Sequence, residues 1–178
     1  KSRTSKTFRN QVLALAKHYP FARKLVNSGR LSVPSFLTAS LLNTPDAEAF
    51  EGQMVPGAPM DDAPVQVNGR EGWLLDQVGK GFACLLFADA GPSAEVLAQL
   101  QALQTGKLPV TPLIVAPRAL SVPGVQVIVD AQGWMAKRYD GKAGTTYLLR
   151  PDQHVAARWR QLSAAQVQQA VAHATCNA

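Results

Sequence analysis

The pattern of apolar and polar residues changes near residue 72 of this 178-residue chain. Beyond that point, the continuous apolar run over residues 82–88 predicts a central strand, because strands buried on both faces have no polar side. Ser93 is placed to cap a helix that runs to about Gln104, with apolar residues recurring every three or four positions. Further strands are predicted over 110–116 and 125–129.

The last third of the chain predicts a short helix, a hairpin and a closing helix. The helix covers residues 131–139, the two hairpin strands cover 145–150 and 154–159, and Ser163 opens the final helix. The resulting order β-α-β-β-α-β-β-α is the α/β plan of a thioredoxin-like fold with one strand added. A ferredoxin-like α+β fold is the main alternative.

The residues before 72 follow a different pattern. Residues 7–28 indicate two short helices, and the proline-rich stretch that follows has no periodicity. We therefore expect a helical basic arm over 1–30, an extended connector over 31–71 that lies along a partner surface, and a thioredoxin-like domain over 72–178.

The composition suits a soluble globular protein, with 47% hydrophobic and 17% charged residues, but the net charge of +6 is unevenly placed. All twelve acidic residues lie at or after Asp46, whereas eight basic residues precede it. Such an arm can contact an acidic protein face, a membrane surface or nucleic acid. The candidate contact residues in it are Arg3, Lys6, Arg9, Lys17, Arg23 and Lys24.

Other features point to the cytoplasm. No apolar run approaches the roughly 20 residues that span a bilayer, and no apolar segment of a signal peptide follows the basic start. The two cysteines lie far apart, unlike those of a secreted disulfide scaffold. Because the chain starts at Lys1 without a methionine, we expect it to be part of a longer polypeptide.

The thiol chemistry of redox-active thioredoxin folds is missing from its usual place. That place is the turn after the first core strand, here residues 89–95, which contain no cysteine and therefore no CxxC pair. Cys84 lies inside the apolar strand, where a thiol is usually inert, and Cys176 lies near the end of the chain.

The sequence predicts no catalytic, cofactor-binding or metal-binding residue. His154 reads as a solvated turn residue beside Asp152, and no histidine has a second ligand at zinc spacing. The sequence Gly79-Lys80-Gly81 precedes a strand, so it lacks the context of a phosphate-binding loop. With no dinucleotide-binding fingerprint either, we expect this chain to bind neither flavin nor nicotinamide cofactor by itself.

Several stretches, taken in order, resemble the C-terminal region of class A flavoprotein aromatic hydroxylases, the group of 3-(3-hydroxyphenyl)propionate hydroxylase and phenol hydroxylase. They span most of the chain and comprise Ser28–Pro34, Ser40–Asp46, Met54–Pro59, Trp73–Asp76, Gly79–Phe82 and Tyr147–Ala156.

The resemblance implies a parent enzyme that uses FAD, NAD(P)H and O2 to hydroxylate a phenolic ring. It implies that this chain is a structural, non-catalytic domain that contacts the upstream FAD and substrate domains of the same polypeptide and contributes to a homodimer. The family's flavin-binding motifs have no counterpart here, so no catalytic residue is carried over.

Three alternatives remain open from sequence. A stand-alone redox enzyme would need a cysteine near residues 91–95, where there is none. A nucleic-acid or anionic-surface binder would act through the basic arm, although its aromatic residues fit apolar helix faces and the body adds no basic patch. A small-molecule binding module would use the cleft of the fold.

Overall fold

The structure, a computed structural model, describes residues 34–177, and the chain from Phe36 onward forms one compact unit. The helices and the basic contact residues predicted before residue 31 lie outside the described residues. In order, the elements are β1 (Pro64–Val67), β2 (Arg70–Trp73), α1 (Leu74–Gln77), β3 (Phe82–Phe87), α2 (Ala94–Thr105), β4 (Val110–Ala116), β5 (Gln126–Val129), α3 (Trp134–Arg138), β6 (Thr146–Leu149), β7 (Val155–Trp159) and α4 (Ala164–Ala174).

The strands form a seven-stranded sheet in the order β2-β1-β5-β4-β3-β6-β7. Strands β3, β4 and β5 are parallel, whereas the β6–β7 hairpin and the β1–β2 hairpin join the sheet by antiparallel pairing. Five of the six residues of β3 are buried, as the apolar run predicts for a central strand. The predicted thioredoxin-like fold is confirmed, and the sheet has two strands, β1 and β2, beyond the five that the sequence predicts.

Two serines begin helices where the sequence predicts. The Ser93 hydroxyl accepts a hydrogen bond from the Val96 N–H at 3.3 Å, and the Ser163 hydroxyl accepts one from the Gln166 N–H at 3.4 Å. Each bond satisfies one of the free N–H groups of a first helical turn. These caps fix the starts of α2 and α4.

Side-chain alternation along β3 separates two apolar layers. Leu85 packs with α3 and the β1–β2 region, whereas Cys84 and Leu86 belong to clusters that include residues of α2 and α4. Successive strand residues face opposite sides of a sheet. The sheet is therefore the middle layer, with α2 and α4 on one face.

The β1–β2 hairpin lies inside the stretch that the sequence assigns to the connector. Its turn residues Asn68 and Gly69 have φ angles of 51° and 74°, the paired positive values of a type I′ turn. Gln66 of β1 pairs with Val129 of β5, so the hairpin extends the sheet. The compact unit thus begins well before the predicted boundary at residue 72.

The remaining part of the predicted connector, residues 36–63, runs along β7 of its own domain; we call it the strap. The Gly57 N–H donates to the Val155 carbonyl at 2.7 Å, and the Val155 N–H donates to the Ala58 carbonyl at 2.9 Å. Further along β7, the Thr44 N–H donates to the Ala156 carbonyl at 2.9 Å. The strap therefore covers an edge strand of the domain to which it belongs, and its contact with a partner surface stays a prediction.

Candidate functional site at the carboxyl end of the central strand

The turn between β3 and α2 is the position at which a thioredoxin-like fold carries its chemistry. Residues 89–91 are exposed, Pro92 is half-buried, and Ser93 uses its hydroxyl to cap α2. The turn contains no thiol, so the start of α2 has no sulfur whose pKa it could lower. Dithiol exchange is chemically impossible at this turn.

A cleft of about 460 Å³ opens beside this turn. Among its lining residues, Asp89 is the only one with an ionisable side chain, and it is exposed. The cleft is suited to apolar contact, and its lining residues are Leu86, Phe87, Ala88, Asp89, Ala90, Gly91, Pro92, Val96, Ala143, Gly144, Gln161 and Leu162.

The two cysteines have opposite environments, and both are free. Cys84 is fully buried in β3, and burial raises the pKa of its thiol to about 12. Cys84 therefore lies in the core, as its place in the apolar run predicts. Cys176 is exposed near the end of the chain, far in sequence from any second thiol.

The two histidines of the described region show no metal site. His154 is less solvated than the sequence suggests, because its side chain is only 17% exposed and its Nδ1 lies 3.1 Å from the Asp152 carbonyl oxygen. His173 lies exposed in the last turn of α4. Within residues 34–177, no group of three histidine, cysteine or acidic side chains could hold a metal ion.

Strong electrostatic contacts concentrate at the strap, around a pair of arginines that sequence reasoning missed. Arg158 of β7 donates to both carboxylate oxygens of Asp46, at 2.9 and 2.6 Å, and to the Met54 carbonyl at 3.1 Å. Arg160 donates to the Ala49 carbonyl at 2.8 Å and to the Asp140 carboxylate. These bonds attach the strap to β7.

The same two arginines pack against an aromatic ring of the strap. The guanidinium carbons of Arg158 and Arg160 lie 4.4 and 3.8 Å from the centre of the Phe50 ring. Such contacts combine apolar packing with attraction between a cation and the ring face. We call Arg158, Arg160 and Phe50 the arginine clamp. Its only sequence signal is the Arg-Trp-Arg alternation at the end of β7, which does not reveal a partner 112 residues away.

Asp140 completes this region at the loop after α3. Burial by itself raises the pKa of its carboxyl, but the Glu51 N–H and the Arg160 guanidinium together hold that pKa below its ordinary value of 3.8. Asp140 has a φ angle of 45° and follows the end of α3. The Asp140 carboxylate therefore links the loop after α3 to Glu51 of the strap and to Arg160.

The basic contact residues proposed from sequence, Arg3, Lys6, Arg9, Lys17, Arg23 and Lys24, lie outside the described residues, and their contacts stay a prediction. None of the helices in residues 34–177 is long and apolar enough to cross a membrane.

Solved structures share this fold. The flavin-dependent monooxygenase PieE, solved with FAD and substrate, is 21% identical, with a TM-score of 0.56 over 77% of this chain and 24% of its own. Aklavinone-11 hydroxylase, solved with FAD and aklavinone, is 22% identical, with a TM-score of 0.55 over 76% of this chain and 25% of its own. A PrxQ mutant of Xylella fastidiosa is 17% identical, with a TM-score of 0.53 over 70% of this chain and 99% of its own.

This chain thus spans about a quarter of the length of either monooxygenase chain. No curated protein matches its sequence. A family model, that of the HcaD C-terminal domain, matches residues 58–174. Since that match covers well over half of the 178 residues, the chain belongs to the HcaD C-terminal domain family.

Proposed function

We propose that this chain is the non-catalytic, C-terminal domain of an FAD- and NAD(P)H-dependent aromatic-ring monooxygenase related to 3-(3-hydroxyphenyl)propionate and phenol hydroxylases. The observation that carries the proposal is the β3–α2 cleft, whose only ionisable lining residue is the exposed Asp89. In a member of the HcaD C-terminal domain family, such a cleft leaves the redox chemistry to the rest of the parent polypeptide.

The two monooxygenases that share the fold support FAD as the cofactor of the parent, because both were solved with it. About three quarters of each of those chains has no counterpart here. The proposal assigns the flavin and the phenolic substrate to that missing part, and the parent to the cytoplasm.

An apolar surface at the start of the compact unit supports a contact role. Phe36, Leu37 and Leu41 are 50%, 37% and 89% exposed and lie within six residues of one another. Large exposed apolar residues that cluster in this way mark interfaces. We assign this surface, together with the basic residues of the arm, to contact with the upstream domains and to a homodimer of the parent.

The test uses the full-length polypeptide with and without residues 36–178, and measures flavin content and oligomeric state. The proposal predicts that the shortened protein keeps its flavin but loses subunit association. Replacing Leu41 by Ser in the full-length protein is expected to weaken association without changing flavin content. Loss of flavin from a folded, shortened protein contradicts the proposal, and so does unchanged association.

The charge asymmetry favours one second candidate, a module that binds nucleic acid or another anionic surface through its arm. Eight basic and no acidic residues precede Asp46. This candidate predicts binding to a duplex or to anionic vesicles that weakens steeply as salt rises. Binding that is absent at low salt excludes it.

A further inference from the structure

Asp130 is a buried carboxylate at the carboxyl end of β5. It is only 4% exposed. Its N–H donates to the Ala116 carbonyl at 2.8 Å, and its Oδ2 accepts a hydrogen bond from the Ala136 N–H at 2.9 Å. The first bond anchors the Asp130 backbone to the end of β4, and the second holds its carboxylate against α3.

The second carboxylate oxygen has no such partner. Asp130 Oδ1 is buried, and no described residue donates a hydrogen bond to it. By contrast, Asp46, Asp140 and Asp152 each pair with an arginine, although all three are more exposed than Asp130. Leaving a buried carboxylate oxygen without a donor costs free energy. Among the described residues, none donates to Asp130 Oδ1 or forms an ion pair with Asp130.

A small cavity lies against Asp130, at the carboxyl ends of β3, β4 and β5, with a volume of about 80 Å³. Since a water molecule occupies about 30 Å³ in the liquid, the cavity holds a group of roughly two or three heavy atoms. Phe87 and Val115 form apolar walls, whereas Asp89 and Lys142 line it from the exposed side.

The charges around the cavity favour a cation. Asp89 adds a second acidic group. Lys142, the only basic lining residue, is 72% exposed and places its Nζ 3.7 Å from Asp140, so its charge is directed to another carboxylate. An anion would be repelled by Asp130. A divalent metal needs several ligands, and within residues 34–177 no group of three histidine, cysteine or acidic side chains could hold one.

The geometry points to this cavity as a binding site for a small primary ammonium group, which donates a hydrogen bond to Asp130 Oδ1. An ammonium head fits the volume and brings both the charge and the directional N–H donors that this oxygen lacks. The group belongs either to a free small amine or to a lysine side chain of a neighbouring polypeptide.

The experiment titrates the 178-residue chain with methylammonium chloride at constant ionic strength, against sodium chloride, and follows backbone amide signals by NMR. The Ala136 N–H reports on the site directly, because it is bonded to the same carboxylate. We expect a saturable shift of the Ala136 and Gly133 signals with methylammonium and none with sodium. In Asp130→Asn, loss of the charged acceptor weakens the apparent affinity about tenfold or more.

The matched control is Asp62→Asn. Asp62 Oδ1 likewise accepts a backbone N–H at the start of a helix, that of Leu75 in α1, but Asp62 does not line the cavity. This variant loses a capping charge and is expected to bind methylammonium as the parent chain does. A second variant, Ala136→Leu, fills the cavity without removing the carboxylate and is expected to abolish the response while the unfolding transition stays cooperative.

A second titration, with Nα-acetyl-lysine amide, distinguishes the two sources of the ammonium group. If Nα-acetyl-lysine amide competes with methylammonium, the ammonium group of a lysine side chain can enter the cavity from outside. If it does not compete while methylammonium still binds, the site takes free amines. The proposal is overturned if methylammonium and sodium act alike, or if Asp130→Asn responds as the parent chain does. In either case the cavity holds water only.

Discussion

The cleft beside the β3–α2 turn and the arginine clamp on β7 differ in the number of charged groups that they contain. The cleft lies where redox-active relatives of the fold carry reactive thiols, yet it contains a single exposed carboxylate, that of Asp89. In the clamp, Arg158 lies in β7 and Arg160 directly follows it. Each donates hydrogen bonds to a carboxylate and to a backbone carbonyl.

The difference shows what the charged residues of this domain do. Arg158 and Arg160 hold the strap on β7, so they cover an edge strand that would otherwise expose free N–H and carbonyl groups. The ion pairs of the arginine clamp are thus internal to the domain, whereas the cleft is lined mainly by apolar residues. Substitutions in the two regions should therefore have opposite consequences.

The largest effect is expected from Arg158→Ala. Its side chain is only 3% exposed, and removing it leaves Asp46 and the Met54 carbonyl without their donors. Loss of the buried partner of this half-buried ion pair, together with its packing on the Phe50 ring, is expected to cost about 3 kcal/mol of unfolding free energy. Urea unfolding monitored by circular dichroism measures this loss. The exposed Arg118, replaced by Ala, should change stability by less than about 0.5 kcal/mol. Equal stability of the two variants would contradict the role of the clamp.

A glycine of the strap provides the next test. Gly57 has a φ angle of 88°, and a Cβ placed there lies 2.4 Å from the Leu37 carbonyl oxygen. We expect Gly57→Ala to destabilise the domain by about 2 kcal/mol, from backbone strain and steric clash combined. Gly69 has a similar φ of 74° but no neighbour within 4 Å, so Gly69→Ala reports strain alone, about 1 kcal/mol. Thermal unfolding of both variants isolates the contribution of the clash.

The acid limb of the stability curve depends on Asp140. Because its pKa is lower when folded than the ordinary 3.8, the unfolded chain binds more protons between those two values. The stabilisation by Asp140 is thus present above about pH 4 and is lost as the pH falls through the folded pKa. Asp140→Asn should lower stability near neutrality and flatten this acid limb. A variant whose unfolding midpoint falls as steeply with acid as that of the parent chain would remove Asp140 from the account.

The smallest effect concerns the thiols. A thiol reagent should modify Cys176 in the folded protein but leave Cys84 unmodified, because Cys84 is buried and its pKa is raised to about 12. Cys176→Ser is expected to abolish labelling of the folded protein without altering stability. Rapid labelling of this variant in the absence of denaturant would show that β3 opens in the folded protein, which would contradict the assignment of Cys84 to a closed core.

The sequence predicts the central part of the fold well because the signals there are local. The apolar run of β3 and the caps at Ser93 and Ser163 each reside in a few consecutive residues. The empty redox position is local too, since it depends only on which residues occupy the β3–α2 turn. These features could be read without any tertiary contact.

The strap could not be predicted in this way. Its attachment depends on pairs such as Arg158 with Asp46, which are 112 residues apart and have no periodic signature. The β1–β2 hairpin did carry a local signal, the Asn68-Gly69 pair typical of a type I′ turn, but the surrounding prolines obscured it. Asp130 is likewise an ordinary turn residue in sequence, and only the structure reveals its burial.

The central claim, an accessory domain without a cofactor site of its own, is tested most directly by titrating the purified chain with FAD. Visible absorbance and flavin fluorescence follow the titration, with a flavin-containing monooxygenase as the positive control. The account predicts no bound flavin after gel filtration and no change in the flavin spectrum. A stoichiometric yellow complex would contradict it and would place flavin chemistry within these 178 residues.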